Sequence, residues 1–157
     1  MSFFKKNKAV EPSAGVKDFY NTTTDKFLQV YGEIIQAFRT NDVADYLNYT
    51  IHSADLKNEQ HIVDAGCGVA GPACYFAQQL PVIKIQACTI SDVQAEKAKE
   101  KVAERNLQNQ VNVTLGDYHK LPELFPANSF DRVIFLESFG HSKNKALAIE
   151  SAFKVLK

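Results

Sequence analysis

Tryptophan is absent from the 157 residues, methionine occurs once, and there are only three cysteines and five prolines. Cys67, Cys74 and Cys88 are odd in number, lack paired zinc-ligand spacing and follow no secretory signal, which argues against a disulfide framework. They read as reduced thiols of a cytoplasmic protein. Long apolar runs are also lacking: nothing approaches the roughly 18 to 20 residues that span a bilayer, and the basic opening Met1 to Lys8 leads into no apolar leader core. No integral membrane segment and no export are expected. Net charge is missing as well. Eighteen basic residues balance eighteen acidic ones, so no net field draws the chain to nucleic acid or to an anionic membrane, and a small neutral or amphiphilic partner suits it better.

What is present has the balance of a soluble globular domain, 45% hydrophobic and 23% charged. Residues 1–15 mix Lys5, Lys6 and Lys8 with Pro12, Ser13 and Gly15, a composition predicting a flexible tail. From Val16 to about Tyr49, Phe19, Phe27, Val30, Tyr31, Ile34, Ile35 and Phe38 recur at helical steps. Two helices follow from this, with a break near Thr22 to Thr24 or Arg39 to Asp42 and cap candidates in Asn21 to Thr24, so that residues 16–58 make a helical lid.

Beyond residue 59 short β-rich runs alternate with amphipathic ones. Ile62 to Ala65, Val82 to Ile90, Val111 to Leu115 and Asp131 to Leu136 read as strands; Pro72 to Leu80, Val93 to Asn106 and Asn144 to Leu156 read as helices. Ser91 with Gln94 three residues later is a capping-box arrangement. The alternation predicts an α/β domain, a doubly wound, mostly parallel sheet with helices on both faces.

Ile62-Val63-Asp64-Ala65-Gly66-Cys67-Gly68-Val69-Ala70-Gly71-Pro72 is a strand ending in an acid, a tight glycine turn and a helix start. Gly66 and Gly68 permit positive φ and leave no Cβ between backbone and ligand, while Pro72 suits a first helical turn. Such a loop floors a cofactor site at the carboxyl end of a strand. The glycines alone also satisfy a dinucleotide fingerprint, or serve only strand–helix packing. Asp64 favours another ligand: it would repel a pyrophosphate but can bond the α-amino group of a methionine moiety. At the end of the second strand, where nicotinamide enzymes place an acid on the ribose, stands Thr89.

With these residues in view, the sequence resembles the small-molecule class I S-adenosylmethionine-dependent methyltransferases, most of all the branch of sterol C-methyltransferases, tocopherol methyltransferases and cyclopropane fatty acid synthases. The resemblance covers about Phe19 to Lys157. Asp64 to Pro72 is similar to the first sterol methyltransferase motif, departing at Ala65 and Ala70; Thr89-Ile90-Ser91-Asp92-Val93-Gln94 resembles the turn that cyclopropane synthases place on the cofactor ribose. The resemblance implies a Rossmann-like core and S-adenosyl-L-methionine as cofactor. It further implies cofactor contacts from Ala65, Gly66, Cys67, Gly68, Thr89, Ile90 and Gln94, an acid near the adenine at Asp117 beside Tyr118, and Tyr31 with Gly32 reaching over the cofactor. Glu137-Ser138-Phe139-Gly140-His141 looks like the segment that carries a glutamate and a histidine at the reaction centre. The family normally continues through a proline-glycine-glycine turn into three more strands, whereas this sequence stops at Lys157, so residues 59–157 are expected to be a partial core and much of an acceptor pocket is expected to be missing.

The implied chemistry is methyl transfer to a small hydrophobic acceptor, carbon methylation of an isoprenoid, sterol-like or lipid alkene ahead of an oxygen or nitrogen acceptor, with a non-catalytic cofactor-binding module as the contrasting class. Methyl transfer needs positioning, desolvation and proton removal and requires no metal. Glu137 either steadies developing positive charge or is a helix-start carboxylate; His141 either takes a proton or only bonds within its loop. His52, His61 and His119 are expected at the surface or in structural roles. With no fifth strand following, the apolar Val133 to Leu136 is expected to form an exposed sheet edge that promotes self-association.

Overall fold

The computed structural model describes Ser13, residues 15–34 and residues 42–157. Most of the expected tail, Ile35 and Phe38 of the helical pattern, and residues 39–41 of one expected helix break lie outside the described residues.

Helix α1 spans Val16–Tyr31 without interruption. The break expected at Thr22 to Thr24 is not there, and these residues are not caps. Their hydroxyls donate to the carbonyls of Asp18, Phe19 and Tyr20 at 2.9, 2.6 and 2.5 Å, so each threonine satisfies itself on the preceding turn and the helix continues. Gly32 ends it with φ 69, its N–H donating back to Leu28 O. Helix α2, Val43–Ser53, starts where Asp42 accepts the N–H groups of Ala44 and Asp45.

The remainder runs β1 (His61–Ala65), α3 (Gly71–Gln79), β2 (Lys84–Thr89), α4 (Asp92–Glu104), β3 (Val111–Leu115), α5 (Leu121–Leu124), β4 (Arg132–Ile134) and α6 (Lys145–Val155). The strands lie in the order β3-β2-β1-β4, every neighbouring pair parallel. After β1 the chain winds outward through β2 and β3, then returns to the other side of β1 as β4. The switch falls between β1 and β4, where chains leaving the two carboxyl ends diverge and open a crevice.

Alternation along β1 sends Ile62 to one face and Val63 and Ala65 to the other. Ile62, Ile85 and Ala87 pack with Leu47, Phe76, Ala98 and Val102 from α2, α3 and α4; Val63, Ala65 and Cys88 pack with Leu121, Phe125, Phe130 and Val155. Apolar burial on both faces makes the domain doubly wound.

Two further features depart from expectation. Strand β4 is three residues long rather than six: its pairing with β1 ends at Ile134 opposite Asp64, and the chain then bends at Leu136 and Glu137, the latter at φ 55. Between β3 and β4 the chain forms a 3-10 turn at Tyr118–Lys120 and the short α5, elements too brief for periodicity to register. Among the described residues β4 pairs in the sheet with β1 alone. No helix of the described residues is long and apolar enough to cross a membrane.

Candidate functional site

The crevice above β1 and β4 holds a cavity of about 310 Å³, within the size range of small-molecule sites. Its floor is the loop between β1 and α3. Gly66 and Gly68 take φ of 90 and 57, confirming the positive φ inferred from the sequence, and Pro72 lies in the first turn of α3.

The three glycines do different work. A Cβ at Gly66 would overlap Cβ of Ser138, so this glycine admits the chain leaving β4 rather than a ligand. Ser138 fills the space and its Oγ donates to Ala65 O at 2.5 Å. A Cβ at Gly71 would sit 2.5 Å from Glu33 O, so the segment after α1 packs down at that point. A Cβ at Gly68, alone of the three, would meet no atom of the described residues. It keeps the cavity floor open.

Beneath this floor lies Asp64, 1% exposed. Among the described residues neither of its carboxyl oxygens has a hydrogen-bond partner, and burial raises its pKa from the ordinary 3.8 to about 7. Buried polar groups are nearly always paired, so a lone buried carboxyl under a glycine floor is a place for a donor or a cation.

On the β2 side, Thr89 donates its hydroxyl to Gln94 Oε1 at 2.8 Å. Ser91 caps α4 by accepting the Gln94 N–H, but the Gln94 side chain is turned to Thr89, so only half of the expected capping box forms. Thr89, Ile90 and Gln94 all line the cavity.

At the end of β3, Asp117 also lines the cavity. Burial pushes its carboxyl pKa up, but hydrogen bonds from the His119 backbone, the Ser13 hydroxyl and the His119 ring outweigh this and hold it below the usual carboxylate range. Tyr118 lines the same wall, burial raising its phenol to about 12, and its hydroxyl donates to Ser138 O at 3.3 Å. His119 is buried, not at the surface.

Glu137 and His141 reach the cavity from the chain after β4. A glutamate at positive φ carries local strain, about 1–3 kcal/mol for such conformations. The charge of Glu137 contributes, after burial, to a raised pKa at Tyr46 of α2.

The lid is α1. Phe19, Tyr20, Thr24, Phe27 and Leu28 face the cavity, and Tyr20 Oη lies 2.8 Å from His141 Nε2 with the rings edge to face. Tyr31 does not reach over the cavity as expected; it packs on Phe27, centroids 5.6 Å apart, and is 44% exposed. Tyr20, from the same helical run of aromatics, occupies the place instead. Gly32 lines the cavity.

Polar contacts hold α1 to α4. Lys17 pairs with Asp92 at 2.7 Å, Asn21 accepts from Ser91 Oγ at 2.6 Å, and Glu33 bonds both Lys101 and Arg105 at 2.7 Å. Ala65 and Asp64 lie under the loop, whereas Gly66, Cys67 and Gly68 border the cavity. The Cys67 thiol is buried and held well above its usual pKa by that burial, which makes it unreactive.

A family profile described as a methyltransferase domain matches residues 62–157, and the chain belongs to that family. It is 30% identical over 167 aligned positions to 24-methylenesterol C-methyltransferase 3 of Arabidopsis thaliana, covering 99% of this chain and 46% of the relative. Among solved structures it is similar to the [4+2]-cyclase SpnF, with a TM-score of 0.83 and 26% identity, covering 94% of this chain and 57% of that one. It is also similar to coclaurine N-methyltransferase bound to N-methylheliamine and S-adenosylhomocysteine, with a TM-score of 0.65 and 27% identity, covering 80% and 36%. The chain spans less than half the length of the curated relatives it matches.

Proposed function

We propose that this domain binds S-adenosylmethionine in the cavity over the β1–α3 loop and serves methyl transfer to a small hydrophobic acceptor, by carbon methylation of an isoprenoid, sterol-like or lipid alkene. The observation that carries the reading is the lone buried carboxyl of Asp64 beneath the Cβ-free floor at Gly68. A cationic ammonium suits that carboxyl, and a bare backbone suits close approach of a ligand. The methyltransferase family and the sterol and S-adenosylhomocysteine-bound relatives support the same ligand.

When bound, the cofactor supplies a methyl carbon activated by its positively charged sulfur. The protein's own residues bind and orient. Asp64 gives the negative charge under the loop; Thr89 and Gln94 offer paired polar groups to ribose hydroxyls; Asp117 and Tyr118 flank the adenine side. Gly66, Cys67, Gly68, Ile90 and Gly32 shape the walls, with Ala65 beneath them. The α1 aromatics Phe19, Tyr20 and Phe27 exclude water from the acceptor side, where a low dielectric strengthens the charge of Glu137. Glu137 stabilises positive charge developing on a methylated alkene, and His141, held by Tyr20, accepts the proton released.

The likeness to a coclaurine N-methyltransferase favours an amine acceptor as the second reading, in which His141 rather than Glu137 is essential. Incubation with methyl-labelled cofactor and a panel of sterol, isoprenoid, fatty-acyl, phenol and amine acceptors separates the two. Label in a carbon-methylated lipid, lost in Glu137→Gln, supports the first. Label only in amines or phenols overturns it, and cofactor binding without any product identifies a binding module. The three buried thiols and the lack of a membrane-crossing helix among the described residues favour a cytoplasmic setting.

A further inference from the structure

His119 is two residues beyond Asp117, in the 3-10 turn that Asp117 caps, and is 5% exposed. Its Nδ1 lies 2.6 Å from Asp117 Oδ1, which also accepts the His119 backbone N–H at 2.9 Å. A carboxylate at that distance fixes the proton on Nδ1. In the neutral ring the other nitrogen, Nε2, then accepts, and Ser142 Oγ lies 2.7 Å from it. Ser142 is 4% exposed, directly follows His141, and accepts the Asn144 N–H at 3.2 Å. Its own N–H donates to Phe139 O, closing the 3-10 turn that presents His141.

A continuous buried path of hydrogen bonds thus runs from a carboxylate on the adenine side of the cavity to the loop that carries the acceptor-side histidine. Neither the Ser142 hydroxyl nor the imidazole lines the cavity. A buried imidazole bonded at both nitrogens is costly to place, since losing either partner strands a buried polar group at about 1–3 kcal/mol. A histidine needed only to fill space would be replaced by an apolar side chain without that demand.

We propose that His119 is a positioning residue, coupling the cofactor-side carboxylate Asp117 to the register of the Ser138–Ser142 loop and so to the placement of His141. This rests on the cofactor reading above. The two ring nitrogens have separate duties: Nδ1 orients Asp117 toward its ligand, and Nε2 anchors Ser142 so that His141 meets Tyr20.

Two amide substitutions separate the duties, because asparagine reproduces the Nδ1 position and glutamine the Nε2 position. The experiment uses the whole 157-residue chain. It measures S-adenosylhomocysteine affinity by calorimetry and the His141 ring signals by NMR, for the wild type and His119→Ala, His119→Asn and His119→Gln. His119→Ala is expected to weaken binding about tenfold, the equivalent of about 1.4 kcal/mol, and to move the His141 signals toward those of a free imidazole. His119→Asn restores affinity and leaves His141 displaced; His119→Gln restores the His141 signals and leaves affinity weak. Ser142→Ala, which leaves the imidazole packed, reproduces the His119→Asn pattern and serves if a His119 variant does not fold. Folded amide variants that behave alike in both readouts, or a Ser142→Ala chain with unchanged His141 signals, overturn the proposal. A wild type that does not bind S-adenosylhomocysteine, with His141 still following His119, overturns the cofactor reading and leaves the loop coupling standing.

Discussion

Replacing Asp64 by asparagine removes a charge and almost no volume, and its effect on stability follows from burial. The folded carboxyl has a pKa of about 7, whereas an unfolded aspartate titrates near 3.9, a difference of about 3 units or about 4 kcal/mol. Because the folded value is the higher one, the folded chain keeps this proton where the unfolded chain has lost it. The stability so contributed is fully present below about pH 4 and is lost as pH rises through about 7. Asparagine has no such dependence. Its unpaired amide adds a cost of its own, constant with pH, so the informative quantity is the change with pH in the difference between the two proteins. Asp64→Asn should gain on the wild type by about 3 kcal/mol between pH 5 and pH 8, roughly 6–12 °C in melting temperature for a chain of this size. Thermal melts of both proteins at the two pH values, without added ligand, make the comparison. A difference that does not change with pH would mean Asp64 titrates as an ordinary solvated carboxyl, and the reasoning would fail. Ligand should reverse the ranking: at pH 8 S-adenosylhomocysteine is expected to bind Asp64→Asn roughly ten- to a hundredfold more weakly, the scale of a lost charged hydrogen bond.

Gly66→Ala should destabilise by about 2–4 kcal/mol through its overlap with Ser138 and its positive φ, and Ser138→Gly in the same chain should recover part of the loss; no recovery in melts of the double variant would refute the contact. Tyr20→Phe keeps the ring and loses the bond to His141, costing about 1 kcal/mol, and should speed release of S-adenosylhomocysteine in stopped-flow measurements. Glu33→Gln removes the charge from both ties to α4 and one of the two acceptors, and should lower stability by about 1–2 kcal/mol at pH 7. Opposed by burial but outweighed by Lys101 and Arg105, the Glu33 pKa is lowered, so that deficit should vanish in melts as pH falls through its folded value. The apolar edge at β4 should make the chain self-associate; a monomer across the concentration range in sedimentation would rule this out.

The sheet was legible because each strand is a short β-rich run between turn residues; the predicted Val111 to Leu115 coincides with β3. The glycine loop was legible because glycine is the residue that takes positive φ most readily. What escaped the sequence depends on distant partners. Thr22 to Thr24 read as a helix break because isolated hydroxyls compete with the helix, and only the intact turn shows them bonding backward. Tyr20 and Tyr31 share one amphipathic pattern, and only docking on α4 decides which of them faces the cavity. His119 read as a surface or structural residue, since nothing local announces Ser142, 23 residues later, as its partner.

The central claim is that the β1–α3 loop over Asp64 binds a sulfonium cofactor rather than a dinucleotide. Calorimetric titration of the chain at pH 8 with S-adenosylmethionine and, separately, with NAD tests it most directly. Saturable binding of S-adenosylmethionine, weakened in Asp64→Asn, with no heat from NAD, is the expected result. Binding of NAD alone would contradict the account.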